Sequence, residues 1–195
     1  MKKKVLVIVA HPDDETIWMG GILLKHKDDW DTTIISLCRR DDEDRAPKFK
    51  KVCKFYNAKC FMSDLEDEKL NNIQSDEVIE RIKKFTDKNY DYIFTHGENG
   101  ESGHKRHIDV NKAVMQMIKN KDLSAKKFFF FSYAKKGKVC YAKKNSDKFI
   151  KFNESKLKLK KKIIQETYGF NKNGFEDLCC RDTEAFLIKE AIWSA

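Results

Sequence analysis

Short apolar runs alternate with amphipathic segments of helical period through most of the 195-residue chain. Buried strands are predicted at residues 5–10, 32–38, 59–62 and 90–95. Helices are predicted at about residues 15–26, 46–56, 75–85 and 107–119, with Pro47 in a first turn and Ser75 as an N-cap. Such alternation predicts an α/β fold of the Rossmann-like kind, with a mostly parallel sheet and helices on both faces.

The last third of the chain departs from this alternation. Residues 128–131 are four phenylalanines and predict a strongly apolar strand, near which residues 138–142 are expected to pair. A helix over about residues 154–168 and a final strand at residues 185–188 follow. We find no internal repeat and no linker rich in proline or serine. One domain spanning residues 1–195 is therefore predicted.

Composition narrows the class of protein. Hydrophobic residues make up 41% of the chain and prolines number two, which is typical of a globular enzyme. No apolar run approaches the roughly 20 residues that cross a bilayer, so no transmembrane segment is predicted. Six cysteines without a Cys-x-x-Cys pair predict free thiols, including the adjacent Cys179 and Cys180, and hence a cytoplasmic location.

The formal net charge is +9, with lysines concentrated in residues 156–162. We interpret that run as a solvated helix face. Basic and aromatic residues are not interleaved as in nucleic-acid modules, so a small molecule is the expected partner and nucleic acid is not. A homo-oligomer would be favoured if the strand at residues 128–131 lay exposed at a sheet edge.

The first strand ends abruptly in His11-Pro12-Asp13-Asp14-Glu15. A parallel strand that ends this way brings polar residues to the carboxyl edge of the sheet, where such folds bind ligands. Imidazole and carboxylate are ligands that divalent transition metals prefer, and His11 and Asp14 are spaced to face one ion. Asp13 would then lie within reach of a water as a general base. The alternative is that Asp13 or Asp14 merely caps the next helix.

A second motif, His104-x-x-His107, follows a glycine-containing loop at residues 100–103. His107 would complete a site with three protein ligands, as catalytic zinc requires. His104 would remain free to stabilise a developing oxyanion. His96, at the end of the fourth strand, competes with them as a ligand, unless it forms hydrogen bonds within its own loop.

These residues resemble the N-acetylglucosaminyl-phosphatidylinositol de-N-acetylase family, the PIG-L or LmbE-like deacetylases. The resemblance rests on residues 10–15, on Gly20-Gly21 and on residues 95–107, in matching order and spacing. It implies an LmbE-like fold of the soluble bacterial or archaeal type. It also implies a hydrolase that uses one Zn²⁺ per chain to remove an acetyl group from an N-acetylated amino sugar.

Carried over to this chain, the resemblance implies that His11, Asp14 and His107 bind the zinc. Asp13 would be the general base, and a protonated His104 would neutralise the oxyanion.

This chain departs from the family pattern between its two histidines. Many members have Pro-Asp where this sequence has Lys105 and Arg106. Two cations beside His104 would disfavour its protonation, unless Asp109 or Glu101 compensates them.

Substrate contacts are less defined. Arg45 is the candidate for holding a phosphate or sugar hydroxyls, and Trp18 and Tyr168 are candidates for stacking on a sugar ring. Three other functions stay open at this point. They are a metal-dependent amidase acting on a non-sugar substrate, a non-catalytic sugar-binding relative, and a magnesium-binding receiver domain with paired acids after its first strand.

Overall fold

The computed structural model describes residues 1–190, which form a seven-stranded sheet with helices on both faces and a separate two-stranded sheet. In chain order the elements are β1 (Lys3–Val9), α1 (Asp14–His26), β2 (Trp30–Ser36), α2 (Arg45–Phe55), β3 (Lys59–Met62), α3 (Ser75–Lys83), β4 (Asn89–Thr95), α4 (Gly100–Gly103), α5 (Lys105–Lys119), β5 (Ser124–Phe131), β6 (Tyr133–Lys136), β7 (Val139–Ala142), β8 (Lys148–Lys151), α6 (Glu154–Lys162), α7 (Phe175–Cys179) and β9 (Thr183–Glu190). A π-helical segment, Ile163–Tyr168, continues α6.

The strand order is β3-β2-β1-β4-β5-β9-β8. The first five strands are mutually parallel, whereas β9 runs antiparallel to both β5 and β8. This arrangement confirms the predicted α/β class and its mostly parallel sheet. The chain passes from β1 outward to β3 and then returns to place β4 on the other side of β1. The carboxyl ends of β1 and β4 therefore flank a topological switch point, which is where open α/β sheets bind ligands.

Alternate residues of β1 pack against opposite layers of helices. Val5, Val7 and Val9 belong to one buried cluster, which also takes in residues of α1 and α2. Leu6 and Ile8 belong to a second cluster, shared with α3 and α5. All five are fully buried, as expected for a strand covered on both faces. No helix among residues 1–190 is long and apolar enough to cross a membrane.

Residues 139–142 form β7 and pair with β6, which begins two residues after the phenylalanine strand, so the pairing predicted near that strand is observed. Two other local features differ from the prediction. β8 was not predicted, because its sequence, Lys-Phe-Ile-Lys, is half charged and lies at the edge of the sheet. Ser75 is the first residue of α3, and Gln74 occupies the N-cap position without a capping side-chain bond.

The strand of four phenylalanines lies inside the sheet. β5 is hydrogen-bonded to β4 on one side and to β9 on the other, and three of the four rings are buried. Both edges of this strand are therefore paired, so it does not offer the exposed edge that would favour a homo-oligomer.

Helix α1 is interrupted at Met19, whose backbone leaves the helical region. The buried Glu184 carboxylate accepts hydrogen bonds from the backbone N–H groups of Gly21 (2.7 Å) and Ile22 (3.0 Å), which begin the second part of the helix. Lys160 donates to the same carboxylate at 2.7 Å. Lys160 is 1% exposed, so it departs from the solvated face predicted for the lysine run.

Replacing Lys160 with methionine is expected to lower the free energy of unfolding by about 3–5 kcal/mol, because the Glu184 carboxylate would stay buried without its cationic partner. Urea denaturation of the wild type and the variant measures this difference. Lys158→Met is the matched control, because Lys158 pairs with Glu154 where both side chains are more than three quarters exposed, and it should cost less than about 1 kcal/mol. Equal midpoints for Lys160→Met and the wild type would contradict the prediction.

Candidate metal centre and catalytic cleft

The residues of both histidine motifs meet in a cleft at the carboxyl ends of β1 and β4. His11 and Asp13 come from the turn between β1 and α1, and Asp14 is the first residue of α1. His104 and His107 come from the start of α5, which follows β4 through the short helix α4. The sheet thus brings together the two segments that the sequence separates by about ninety residues.

Three ligand atoms converge in this cleft. His11 Nδ1 lies 3.1 Å from His107 Nε2, and Asp14 Oδ2 lies 3.3 Å from each of these two nitrogens. Ligand atoms that surround a tetrahedral zinc at about 2.0–2.1 Å are about 3.3 Å apart. The spacing and the two-imidazole, one-carboxylate donor set therefore fit a zinc ion.

Carboxylates behind the two histidines orient the imidazole rings. Glu101 Oε2 lies 2.7 Å from His107 Nδ1, and Asp67 Oδ1 lies 2.9 Å from His11 Nε2. Each carboxylate accepts a hydrogen bond from one ring nitrogen and leaves the other nitrogen aimed at the cleft, an arrangement that is usual behind metal-binding histidines. Trp18 Nε1 donates to Asp14 Oδ1 at 3.0 Å and so orients the carboxylate that is the third candidate ligand.

His96 lies beside this cluster but is already engaged. The backbone N–H of Ala10 donates to His96 Nε2 at 2.9 Å and occupies the lone pair of that nitrogen. His96 Nδ1 lies 2.8 Å from Glu101 Oε2, and its ring stacks on that of His107 at 3.9 Å. These bonds favour the alternative in which His96 forms hydrogen bonds within its own loop, while Asp14, His96 and His107 also offer ligand atoms within 4.8 Å of one another.

Asp13 occupies the N-cap position of α1 but makes no capping bond through its side chain. Its φ of 109° is a strained conformation for a residue with a side chain, and such strain is concentrated at functional sites. Arg45 Nη1 donates to Asp13 Oδ2 at 2.8 Å. Burial, and next the neighbouring Asp14 carboxylate, raise the pKa of Asp13 well above its usual range. The helix-cap alternative is therefore not realised by Asp13.

Two other candidate substrate residues, Arg45 and Tyr168, form hydrogen bonds with the carboxylates of Asp13 and Glu15, which follow β1. The hydroxyl of Tyr168 is buried and donates to Glu15 at 2.8 Å, so this ring is not available to stack on a sugar. The guanidinium of Arg45 packs 4.4 Å from the centre of the Phe170 ring. Phe170 and Phe175 line the cleft and were not singled out in the sequence, because isolated phenylalanines carry no local signal for a binding wall.

His104 is half-buried at the mouth of the cluster. The backbone N–H of Arg106 donates to its Nδ1 at 3.3 Å. Burial, and then the neighbouring His11 and His107, lower the pKa of His104 to about 4. The lowered pKa favours a neutral His104 imidazole with its proton on Nε2, whereas the resemblance implied an imidazolium.

The two cations of the second motif are not the cause of that low pKa. Arg106 is fully buried and donates to Asp109 at 2.7 Å, and Lys105 donates to the same carboxylate at 3.3 Å. Asp109 therefore compensates these charges, as one of the sequence alternatives proposed. Glu101, the other alternative, is committed to the histidines.

Topology and site together define an α/β protein of the LmbE-like type. Residues 6–118 match the family model described as PIG-L, GlcNAc-PI de-N-acetylase. The chain belongs to this family, and its membership excludes the receiver-domain alternative. None of the curated proteins matches the sequence.

Solved structures with this fold have different activities. N,N'-diacetylchitobiose deacetylase from Pyrococcus horikoshii superposes with a TM-score of 0.70 at 17% identity, covering 96% of this chain and 84% of its own. A conserved protein from Thermus thermophilus, TT1542, gives a TM-score of 0.60 at 15% identity, covering 85% and 78%. GalB, the 4-carboxy-2-hydroxymuconate hydratase from Pseudomonas putida, gives 0.60 at 13% identity, covering 100% and 98%. Such identities show a shared fold, and the reaction must be argued from the family and the site.

Proposed function

We propose that this protein is a zinc-dependent deacetylase that hydrolyses the acetamide of an N-acetylated amino sugar. The observation that carries the proposal is the convergence of His11, Asp14 and His107 at 3.1–3.3 Å in the cleft of a de-N-acetylase family member. These three residues would hold one Zn²⁺ per chain. When bound, zinc lowers the pKa of a water molecule to about 7 and polarises a carbonyl group.

The chain's own residues supply the proton transfers. Asp13, with its raised pKa, accepts the proton of the attacking water, and Arg45 holds the carboxylate in place. The Nε2–H of neutral His104 donates to the oxygen that becomes negative as the carbonyl carbon turns tetrahedral. Asp13 then returns the proton to the departing amine, which leaves acetate and a free amino sugar.

The walls of the cleft support a sugar as the substrate. Phe170 and Phe175 give it an aromatic side, and Arg45 and Ser102 add polar groups.

The six cysteines are free thiols, and we place the protein in the cytoplasm because thiols stay reduced there. The remaining alternatives are a zinc amidase with a non-sugar substrate and a sugar-binding relative without turnover.

The test is elemental analysis of zinc per chain, followed by measurement of acetate release. The panel contains N-acetylglucosamine, N,N'-diacetylchitobiose and N-acetylated amines that lack a sugar. One zinc per chain with acetate released from the sugars supports the proposal. Turnover confined to the non-sugar amides would favour the amidase, and sugar binding without acetate would favour the binding relative. Absence of zinc after loading would overturn the mechanism.

His104→Ala is expected to lower kcat by about 10²–10³-fold, because one donor to the oxyanion is lost. Zinc content should be unchanged, since His104 is not among the three converging ligands. His26→Ala is the matched control, because His26 stacks on Trp30 away from the cleft. Loss of zinc from His104→Ala would show that the ligand and the oxyanion donor are assigned to the wrong histidines.

A further inference from the structure

Arg106 is a fully buried cation in the second motif that the proposed mechanism does not use. Its guanidinium Nη2 donates to Glu66 Oε2 at 2.6 Å and to the backbone carbonyl of Asn71 at 3.0 Å. Its Nε donates to the backbone carbonyl of Glu66, and its Nη1 donates to Asp109. Arg106 thus ties α5 to two points of a single loop.

That loop, residues 63–74, connects β3 to α3 without regular secondary structure and is largely exposed. The Glu66 carboxylate closes the loop on itself by accepting the backbone N–H groups of Lys69 and Asn71. Leu65 anchors the loop, because its side chain is buried in the core and its N–H donates to the Leu37 carbonyl at 2.9 Å. Residues 66–72, which follow it, are half-buried or exposed, so their conformation depends mainly on these polar bonds.

Asp67 follows Glu66 directly and reaches the candidate metal centre. Its Oδ1 lies 2.9 Å from His11 Nε2, and its Oδ2 accepts from Arg39 Nε at 3.1 Å and Nη2 at 2.8 Å. A carboxylate in this place sets which ring nitrogen of His11 keeps its proton and which faces the metal. Asp67 is held directly by Arg39 and, through the adjacent Glu66, by Arg106.

We propose that Arg106 is a positioning residue for the metal centre, acting through the 63–74 loop and Asp67 on His11. The inference rests on the proposed function, because it assigns His11 as a zinc ligand. Arg106 stabilises the loop conformation in which Asp67 fixes His11 with Nδ1 toward His107 and Asp14. A lysine at this position would keep the charge but lack the planar fork that reaches Glu66, Asn71 and Asp109 together.

The experiment measures the zinc dissociation constant of purified protein against a competing chelator. Asp67→Ala is expected to weaken zinc binding by about 10- to 100-fold, the range typical of a residue behind a metal ligand. Arg106→Lys is expected to weaken binding by about 10-fold, at the lower end of that range. Because both changes act on one path, the double variant should bind zinc no more weakly than Asp67→Ala alone.

Two further variants separate this role from general stabilisation. Arg81→Lys is the matched control, because Arg81 donates to Ser63 and Asp64 at the start of the same loop and contacts neither Glu66 nor Asp67, and its zinc affinity should match the wild type. Glu66→Ala removes the loop carboxylate that accepts the Arg106 hydrogen bond. This variant is used in place of Arg106→Lys if Arg106→Lys does not fold. Thermal unfolding of the zinc-free proteins shows whether each variant is folded.

Wild-type zinc affinity in folded Arg106→Lys or Glu66→Ala would overturn the inference, and so would losses that simply add in the double variant. Either result leaves the proposed function standing if the wild type binds zinc and releases acetate. Failure of the wild type to bind zinc would overturn both. Zinc binding that depends on Arg106 without acetate release would overturn the proposed function alone.

Discussion

Replacing His107 with alanine is expected to remove zinc from the protein and to abolish measurable deacetylation. His107 Nε2 is one of three ligand atoms that lie within 3.3 Å of one another, and two remaining ligands hold an ion poorly. Loss of the ion removes several kcal/mol of transition-state stabilisation, which corresponds to a rate decrease of about 10³-fold or more. Elemental analysis and an acetate-release assay on the same preparation measure both effects.

His96→Ala is the informative comparison for this variant. His96 contacts the same Glu101 carboxylate but offers no free lone pair to the cleft, because the Ala10 N–H occupies its Nε2. We expect His96→Ala to retain zinc. The opposite pattern, with zinc lost from His96→Ala and kept by His107→Ala, would reverse the assignment of the third ligand.

Asp13→Asn is expected to keep one zinc per chain and to lower kcat by about 10²–10⁴-fold, the contribution typical of a general base. The amide is nearly isosteric and still accepts the Arg45 hydrogen bond through its oxygen, so the cleft should keep its shape. It cannot accept the proton from water. Steady-state kinetics on the zinc-loaded variant measure the loss.

Asp42→Asn provides the same substitution on the wall of the same cleft. The Asp42 side chain accepts the backbone N–H groups of Asp44 and Arg45 and does not contact the three converging ligands. Its kcat should stay within a few fold of the wild type. A wild-type rate in Asp13→Asn would remove Asp13 as the base and leave the source of proton transfer to another group.

The sequence was sufficient for the parallel core of the fold. Both faces of β1 are covered by helices, so the strand appears in the sequence as a continuous apolar run. The helices are recognised by the helical spacing of their apolar residues, which depends on the local sequence alone. β3 was predicted at its observed bounds, and β1, β2 and β4 within about two residues, whereas β5 begins four residues before its predicted start. The prediction failed at β8, which lies at the edge of the sheet with a half-charged sequence and therefore lacks both signals.

The sequence by itself determined which residue types gather at the sheet edge, because parallel strands end at the same side. His11 and Asp14 follow the end of β1 directly, and His107 follows the end of β4 after the short helix α4. Only the tertiary structure decided how those residues are used. The Ala10 N–H engages His96 Nε2, and Asp67 reaches His11 Nε2 from a loop of no regular structure. The physical reason is that a ring nitrogen's protonation and direction depend on hydrogen-bond partners distant in sequence, which packing alone brings within about 3 Å.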